Sequence, residues 1–235
     1  MTGAPQSLHA NYEHRIYANA GNPAVVSMID PAAVTILDIG CGAGDNAALI
    51  KASNPSREIF GITASPSEAV LASRWMTECC VADLESEFPG AIIQRSYDAI
   101  LCSHVLEHLR NPASVVERLA ALLKPGGSIV IAVPNVLFWR QRANFFLGRF
   151  EYEASGTMDE THLRFFTYYT AAAYLLARAP TLQLEERRVS GSVPLWLLRR
   201  RVLSSSASLA IDRVGMKWVP NLFGGEILLR AVRRG

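Results

Sequence analysis

The chain has 235 residues, half of them hydrophobic, and a formal net charge of +2 at pH 7. That composition excludes global disorder and fits one large α/β domain or a domain with an insertion. The nearly balanced charge gives no sign of DNA binding, and no apolar run approaches the roughly 18–20 residues that span a bilayer.

The opening MTGAPQSLHANYEHR has no apolar core, so a secretory signal is not expected. The four cysteines, Cys41, Cys79, Cys80 and Cys102, are too few for a disulfide framework, and the Cys79–Cys80 pair lacks zinc-ligand spacing. Cysteine usage therefore points to a reducing, cytoplasmic compartment.

Residues 1–11 read as frayed, and Tyr12, Ile16, Tyr17, Val25, Val26 and Ile29 suggest one or two helices over 11–29. The apolar and β-branched run VTILDI at 34–39 reads as a buried parallel strand. Gly40, Cys41, Gly42, Ala43 and Gly44 follow at once, and a helix over 45–52 comes next. A strand, a glycine-rich turn and a helix N-terminus let a ligand approach the backbone closely. EIFGIT at 58–63 is a second strand, and Ser65-Pro66 caps and starts a helix over 66–75. A short third strand at 79–82 ends at Asp83.

YDAILCS at 97–103 is the fourth strand, with a short helical turn at 105–109 and an amphipathic helix over 112–123. Lys124-Pro125-Gly126-Gly127 stops that helix, and SIVIAV at 128–133 is the fifth strand. Alternating strands and helices imply a mostly parallel sheet covered on both faces, with ligands at the carboxyl edge of the strands. That edge gathers residues 40–44, Thr63, Asp83, 103–108 and Asn135. Residues 136–166 are rich in aromatics and arginines without a clear strand, as expected of an insertion acting as lid or substrate wall. A helix over 167–179, a strand over 182–189, an apolar stretch over 193–211 and a last strand over 226–232 complete the chain.

LDIGCGAG at 37–44, YDAILCSHVLEHLRNP at 97–112 and LKPGGSIVIAVPN at 123–135 resemble the first, fourth-strand and fifth-strand motifs of class I S-adenosylmethionine-dependent methyltransferases. The resemblance covers about 36–135 well and the remainder loosely. It implies a Rossmann-like, seven-stranded, mostly parallel α/β sheet with helices on both faces and a lid insertion after the fifth strand. It further implies a single methyltransferase domain over 1–235, with the lid at 136–166, and S-adenosyl-L-methionine as cofactor.

By this resemblance, Gly40, Cys41, Gly42 and Gly44 cradle the aminocarboxypropyl part of the cofactor. Asp38 orients its amino group, although a turn-capping role is the alternative. Asp83 and Leu84 take the adenine-contacting position, and Ser103 and His104 line the pocket. A nicotinamide-type turn fits poorly, because its third glycine would fall two positions after Gly44 and the later acid is missing. The second strand of the family usually ends in an acid that binds both ribose hydroxyls, whereas this tip reads Gly61-Ile62-Thr63-Ala64-Ser65. Some cyclopropane-synthase-like methyltransferases carry a similar G-I-T-x-S tip. Water, Ser65 or a nearby residue is expected to complete the contacts that Thr63 and Ala64 leave unmade.

A hydroxyl acceptor needs a base, and His104, His108 and His162 are the candidates on the binding edge, with His108 and His162 favoured. His104, Glu107 and His108 stand at i, i+3 and i+4, so a helix would place them on one face, with His162 as a fourth member. That set admits three readings: a divalent metal site, a catalytic base at His108 or His162, or packing; base and packing weigh equally, and no metal is assigned. The segment GRFEYEASGTMDETHLRFFT at 148–167, with its G-x-x-x-Y and D-x-T-H-L-R-F-F-T parts, resembles methyltransferases of cell-envelope glycan and secondary-metabolite clusters, which implies a small-molecule or glycan acceptor. Arg164 either faces the mouth of the site or pairs with Asp159 or Glu160. Phe165 and Phe166 are expected to anchor the lid. Two alternatives stand beside O-methylation of such an acceptor: a metal-dependent RNA 2′-O-methyltransferase, and a non-catalytic partner subunit with this fold. The Arg199–Arg200–Arg201 cluster reads as a solvated face on a core helix or, more sharply, as a weak membrane-surface contact.

Overall fold

The computed structural model describes residues 20–235, so the sequence readings at 1–11 and at Tyr12, Ile16 and Tyr17 lie outside the described residues. Seven strands form one sheet in the order β3-β2-β1-β4-β5-β7-β6. These are β1 (Thr35–Ile39), β2 (Glu58–Thr63), β3 (Glu78–Val81), β4 (Tyr97–Ser103), β5 (Leu123–Pro134), β6 (Leu182–Gly191) and β7 (Gly224–Arg233). The first five pair in parallel, and β7 runs antiparallel between β5 and β6.

The central strands are apolar on both sides because both faces are covered. On one face Leu37, Ile39, Ile100, Ile129 and Ile131 pack against α4 (Gly90–Ile93), α5 (Pro112–Leu122) and α7 (Ala171–Leu175). On the other, Ile36, Ile59, Leu101 and Val130 pack against α1 (Pro23–Val26), α2 (Asp45–Ser53) and α3 (Pro66–Ala72). The strand order reverses between β1 and β4, so a crevice opens at the carboxyl ends of those two strands.

Several expected boundaries shift. Residues 124–127 end the helix before them, yet the chain enters β5 at once, with Tyr97 opposite Leu123 and a register shift before Ala99. The helix expected over 167–179 shortens to α7, and the one over 66–75 to α3. Residues 136–166 hold a helix, α6 (Trp139–Phe146), that the aromatic-rich pattern did not suggest. The apolar stretch at 193–211 becomes α8 (Trp196–Val202) and the start of α9 (Ser205–Trp218), followed by a short α10 (Pro220–Phe223). Among the described residues no side chain of α8 or α9 joins either core cluster, and Arg199 ties α8 to α9 through Asp212 at 2.7 Å and through the carbonyl of Ser208. Among the described residues no helix is long and apolar enough to cross a membrane.

Candidate active site

The turn after β1 is built for close approach. Gly42 has a φ of +52°, and an added Cβ would meet only the Glu68 Oε1 at 3.7 Å, so its inner side is open. Gly44 at φ +88° caps α2 and packs so closely that a Cβ would lie 2.9 Å from Ala72 Cα. The Cys41 amide donates to the Ile62 carbonyl at 3.0 Å, which ties the turn to β2. The Cys41 thiol lies 3.6 Å from that of Cys79; this contact and burial push it well above the ordinary thiol pKa, so it is no nucleophile at neutral pH.

Asp38 is 1% exposed, and neither of its carboxylate oxygens has a hydrogen-bond partner. Burial raises its pKa to about 7; the Asn46 side chain, near enough to pull the other way, does not reach hydrogen-bond geometry with either oxygen. A buried carboxylate without a partner is costly, and a cationic ligand group would relieve that cost. The orphaned acid and the open turn thus fit the aminocarboxypropyl group of the cofactor that the sequence motifs imply.

At the β2 tip, Thr63 and Ser65 are buried and Ala64 is exposed. Ser65 caps α3 by accepting from the Glu68 amide at 3.4 Å. The Ser65-x-x-Glu68 spacing is that of a capping box, in which the Glu side chain returns to the cap amide. Here Thr63 Oγ1 donates to Glu68 Oε2 at 2.8 Å, and Thr63 Oγ1 instead accepts from the Ser65 amide. Glu68 is buried at 5% exposure and its other oxygen faces Gly42. A buried carboxylate thus stands five residues beyond the strand tip, bonded to Thr63. Asp83 is exposed and its carboxylate accepts from the Glu85 amide and the Ser86 hydroxyl, while Leu84 is buried in the core.

The second half of the site lies past β4. Ser103 is half-buried, and the His104 amide still bonds to the Ala132 carbonyl of β5 at 3.0 Å. His104 consequently has a φ of +53° and precedes the 3₁₀ turn Leu106–His108 instead of joining a helix with it. This corrects the shared helical face expected of His104, Glu107 and His108: the ring of His104 turns to Glu226, with Nε2 at 2.6 Å from its Oε1 and Nδ1 at 3.3 Å from Glu107. The partial desolvation of His104, whose side chain is 44% exposed, would lower its pKa, but the hydrogen bonds to Glu107 and Glu226 outweigh it and hold it at about 10. The Asn22 side chain also donates to Glu226, and its backbone amide donates to Asn46 Oδ1 at 2.8 Å, so one polar chain runs from the start of α2 to Glu107.

A folded pKa raised from 6.5 to about 10 contributes stability that is fully present below about pH 6.5 and lost as pH rises through about 10. Glu226→Gln should therefore lower the melting temperature near neutral pH, with the gap from wild type closing toward pH 10 or so. Thermal unfolding across that range checks it; a gap that stays constant would contradict the assignment.

His162 completes the cluster. Its Nδ1 donates to the Thr157 carbonyl at 3.1 Å, which leaves Nε2 bare and 3.9 Å from Glu107 Oε1. His108 lies edge-on to it, ring centres 4.7 Å apart, with Nδ1 donating to Thr161 Oγ1 at 3.0 Å. Thr161 in turn donates to Asp159 at 2.6 Å. Burial, helped by the neighbouring His162, pushes the His108 pKa below its ordinary value, so the ring is neutral at pH 7. Glu107 is 1% exposed and its Oε2 has no partner. Atoms of Glu107, His108 and His162 lie within 4.8 Å of one another, spacing that would suit a metal ion.

The loop carrying His162 docks on this turn through the amides of Leu163 and Arg164, both donating to the Glu107 carbonyl. Arg164 pairs with neither Asp159 nor Glu160; its guanidinium donates to the Arg110 carbonyl. Phe166 is buried and bridges to Asn135, whereas Phe165 is 40% exposed beside His162, so only the first anchors the segment. The structure thus brings together Asp38, the glycine turn and Thr63, and separately His108 with His162. It adds Glu68 and Glu226, which sequence reasoning did not single out.

The family model described as a methyltransferase domain matches residues 12–175 of this chain. A trans-aconitate 2-methyltransferase of Methylobacterium radiotolerans is 34% identical over 103 residues, which is 43% of this chain and 38% of that protein. A ubiquinone biosynthesis O-methyltransferase of Chromobacterium violaceum is 33% identical over 129 residues, 48% of this chain and 52% of its own length. The chain spans about half the length of the curated relatives it matches. Among solved structures, a SAM-dependent methyltransferase of Archaeoglobus fulgidus superposes with a TM-score of 0.56 at 19% identity, covering 86% of this chain and 87% of that one. That likeness shows the fold.

Proposed function

The chain belongs to the methyltransferase domain family, and on that premise we propose that it methylates a hydroxyl of a small polar or glycan acceptor, with S-adenosyl-L-methionine as donor. The observation that carries the reading is the pairing of an orphaned, buried Asp38 beside an open glycine turn with two histidines whose Nε2 atoms are free for chemistry. Asp38 would hold the donor's amino group, Gly42 would admit its backbone-facing part, and Glu68 with Thr63 would accept from the ribose hydroxyls. When bound, the donor supplies a methyl group already activated on a sulfonium, so the protein's task is alignment, exclusion of water and proton removal. His162 would take the hydroxyl proton at Nε2, with the Thr157 carbonyl fixing its tautomer.

Residues 136–166 would act as the lid. A cavity of about 230 Å³ lies within that segment, lined by Gln141, Asn144, Arg149, Glu151 and Glu153 among others. Such a polar lining suits a polyhydroxylated acceptor. The relatives named as O-methyltransferases favour oxygen as the accepting atom. A second reading is favoured by the convergence of Glu107, His108 and His162: a divalent ion held there would activate the hydroxyl in place of a base, as in a metal-dependent RNA 2′-O-methyltransferase.

Glu68→Ala should weaken cofactor binding by about tenfold or more, since a charged acceptor for two hydroxyls is lost. Calorimetry measures this, and an unchanged affinity would remove Glu68 from the site. The reaction itself is tested by incubating the chain with methyl-labelled donor and separate pools of sugars, metabolites and RNA, with and without chelator. Label in a hydroxylated small acceptor, insensitive to chelator, supports the leading reading. Label in RNA that chelator abolishes supports the second, and a bound donor with no transfer to any pool contradicts both.

A further inference from the structure

The stretch 195–219 is not used by the methyl-transfer site, and its outer face is unusual. In α9, Ile211, Val214 and Trp218 recur at helical spacing and point outward, with Trp218 77% exposed. Val202 at the end of α8 is 75% exposed. The inner face of α9 is occupied: Ser208 is buried, Gly215 lies against Val193 and Phe223, and Asp212 accepts from the Val193 amide at 2.8 Å. The outward direction of the apolar stripe is therefore set by the fold and is not a matter of fraying.

The charge on this stretch is one-sided. It carries Arg199, Arg200, Arg201, Arg213 and Lys217 against a single acid, Asp212. That acid is held by Arg199, so no acid of the stretch is left to neutralise the exposed Arg201, Arg213 and Lys217. Arg213 and Lys217 stand four residues apart beside the Val214–Trp218 stripe, which gives α9 an apolar band edged by cations.

We propose that α8 and α9 dock this protein on an anionic bilayer surface, with α9 lying in the plane of the headgroups. Trp, Val and Ile beside exposed Arg and Lys are the composition of a helix that rests in the interface. Tryptophan places an apolar ring and a polar N–H at the level of the headgroups, and long cationic side chains reach outward to lipid phosphates. A second copy of the chain fits this face poorly. A twofold contact brings each patch against its own copy and would set these cations against one another. α6 ends in Phe146, 90% exposed, and is linked to the chain just before α8 and to α10 by Trp139 donating to the Ser192 carbonyl and Arg142 to that of Asn221. Docking through α9 would thus hold the segment over the candidate active site close to the bilayer.

The test needs no methyl acceptor and reads binding alone, so its failure is distinct from failure of the methyl-transfer reading. The full chain is sedimented with vesicles of phosphatidylcholine, or of phosphatidylcholine with one-third phosphatidylglycerol, at low and raised salt. Binding is expected only to the anionic vesicles and should weaken with salt. Arg213→Gln with Lys217→Gln should weaken it by about 10- to 30-fold, and Val214→Asp with Trp218→Asp should abolish it. Unchanged circular dichroism and cofactor affinity establish that each variant is folded. No binding to anionic vesicles, equal binding to both kinds, or binding unaltered by either double variant would overturn the proposal. A wild-type dimer that the Val214/Trp218 variant converts to monomer would assign the face to a second copy instead.

Discussion

His162→Ala should lower kcat by about 10²-fold or more while leaving the affinity for S-adenosyl-L-methionine within a few-fold of wild type. The expectation follows from where the ring is held. Thr157 fixes its tautomer, Glu107 lies 3.9 Å from its bare nitrogen, and the side chain is nearly buried, so it has no role in solvating the surface. Removing it deletes a proton acceptor from the acceptor half of the site and touches nothing in the turn after β1. Chelation separates the two readings of the cluster. A base acting alone gives activity that is indifferent to chelators. Metal activation gives activity that a chelator removes and added divalent ion restores. An Ala variant with unchanged kcat would retire His162 from the chemistry.

Asp38→Asn should weaken S-adenosyl-L-methionine binding by about 10²-fold, the range for loss of one partner of a desolvated, hydrogen-bonded charge pair. The isosteric amide keeps the packing of β1 against β2 and β4, so the effect reads the charge. Stability should hold or rise, because the wild-type carboxylate is buried at 1% exposure without a partner. The measurement is calorimetric titration beside thermal unfolding of the same samples. Equal affinity of the variant and the wild type would leave Asp38 a structural turn residue.

Much of the frame was legible because it rests on local pattern. EIFGIT and YDAILCS are strands with the bounds read from their apolar runs, since a strand buried on both faces leaves no ambiguity of side. The glycine turn, the proline-started helices and the 128–133 part of the fifth strand follow from equally local chemistry, whereas the extension of β5 back to Leu123 comes from its pairing with Tyr97. What could not be read depends on contacts across the sheet. His104 looked like the first member of a helical triad, but its amide remains in the ladder with β5 and delays the turn by a residue or two. Its true partner, Glu226, lies 122 residues further along and reaches it only because β7 inserts antiparallel beside β5. No spacing rule carries that information.

Glu68 is an intermediate case. The Ser65-x-x-Glu68 pattern was visible and would ordinarily mark a capping box, which makes the glutamate a helix-start residue and nothing more. Its diversion to Thr63 is what turns it toward Gly42, and the signal that could have found it is the combination of a hydroxyl at the strand tip with an acid five residues on. Within 136–166 the helix α6 escaped the sequence reading because it buries little: among its residues only Gln141 is buried and Phe146 is 90% exposed, so no apolar face marks the helix.

If the turn after β1 holds S-adenosyl-L-methionine through an ionised Asp38, calorimetric titration of the full chain with that cofactor from pH 6 to 8 should reveal it. Burial holds the Asp38 pKa at about 7, and a cationic amino group favours the ionised form. Below that value binding must release a proton, so affinity should strengthen by up to about tenfold per pH unit and level off above it. The expected outcome is a single site with that rise, absent in Asp38→Asn. No binding at millimolar cofactor, or an affinity in wild type that is flat across this range, would contradict a cofactor site built on this acid.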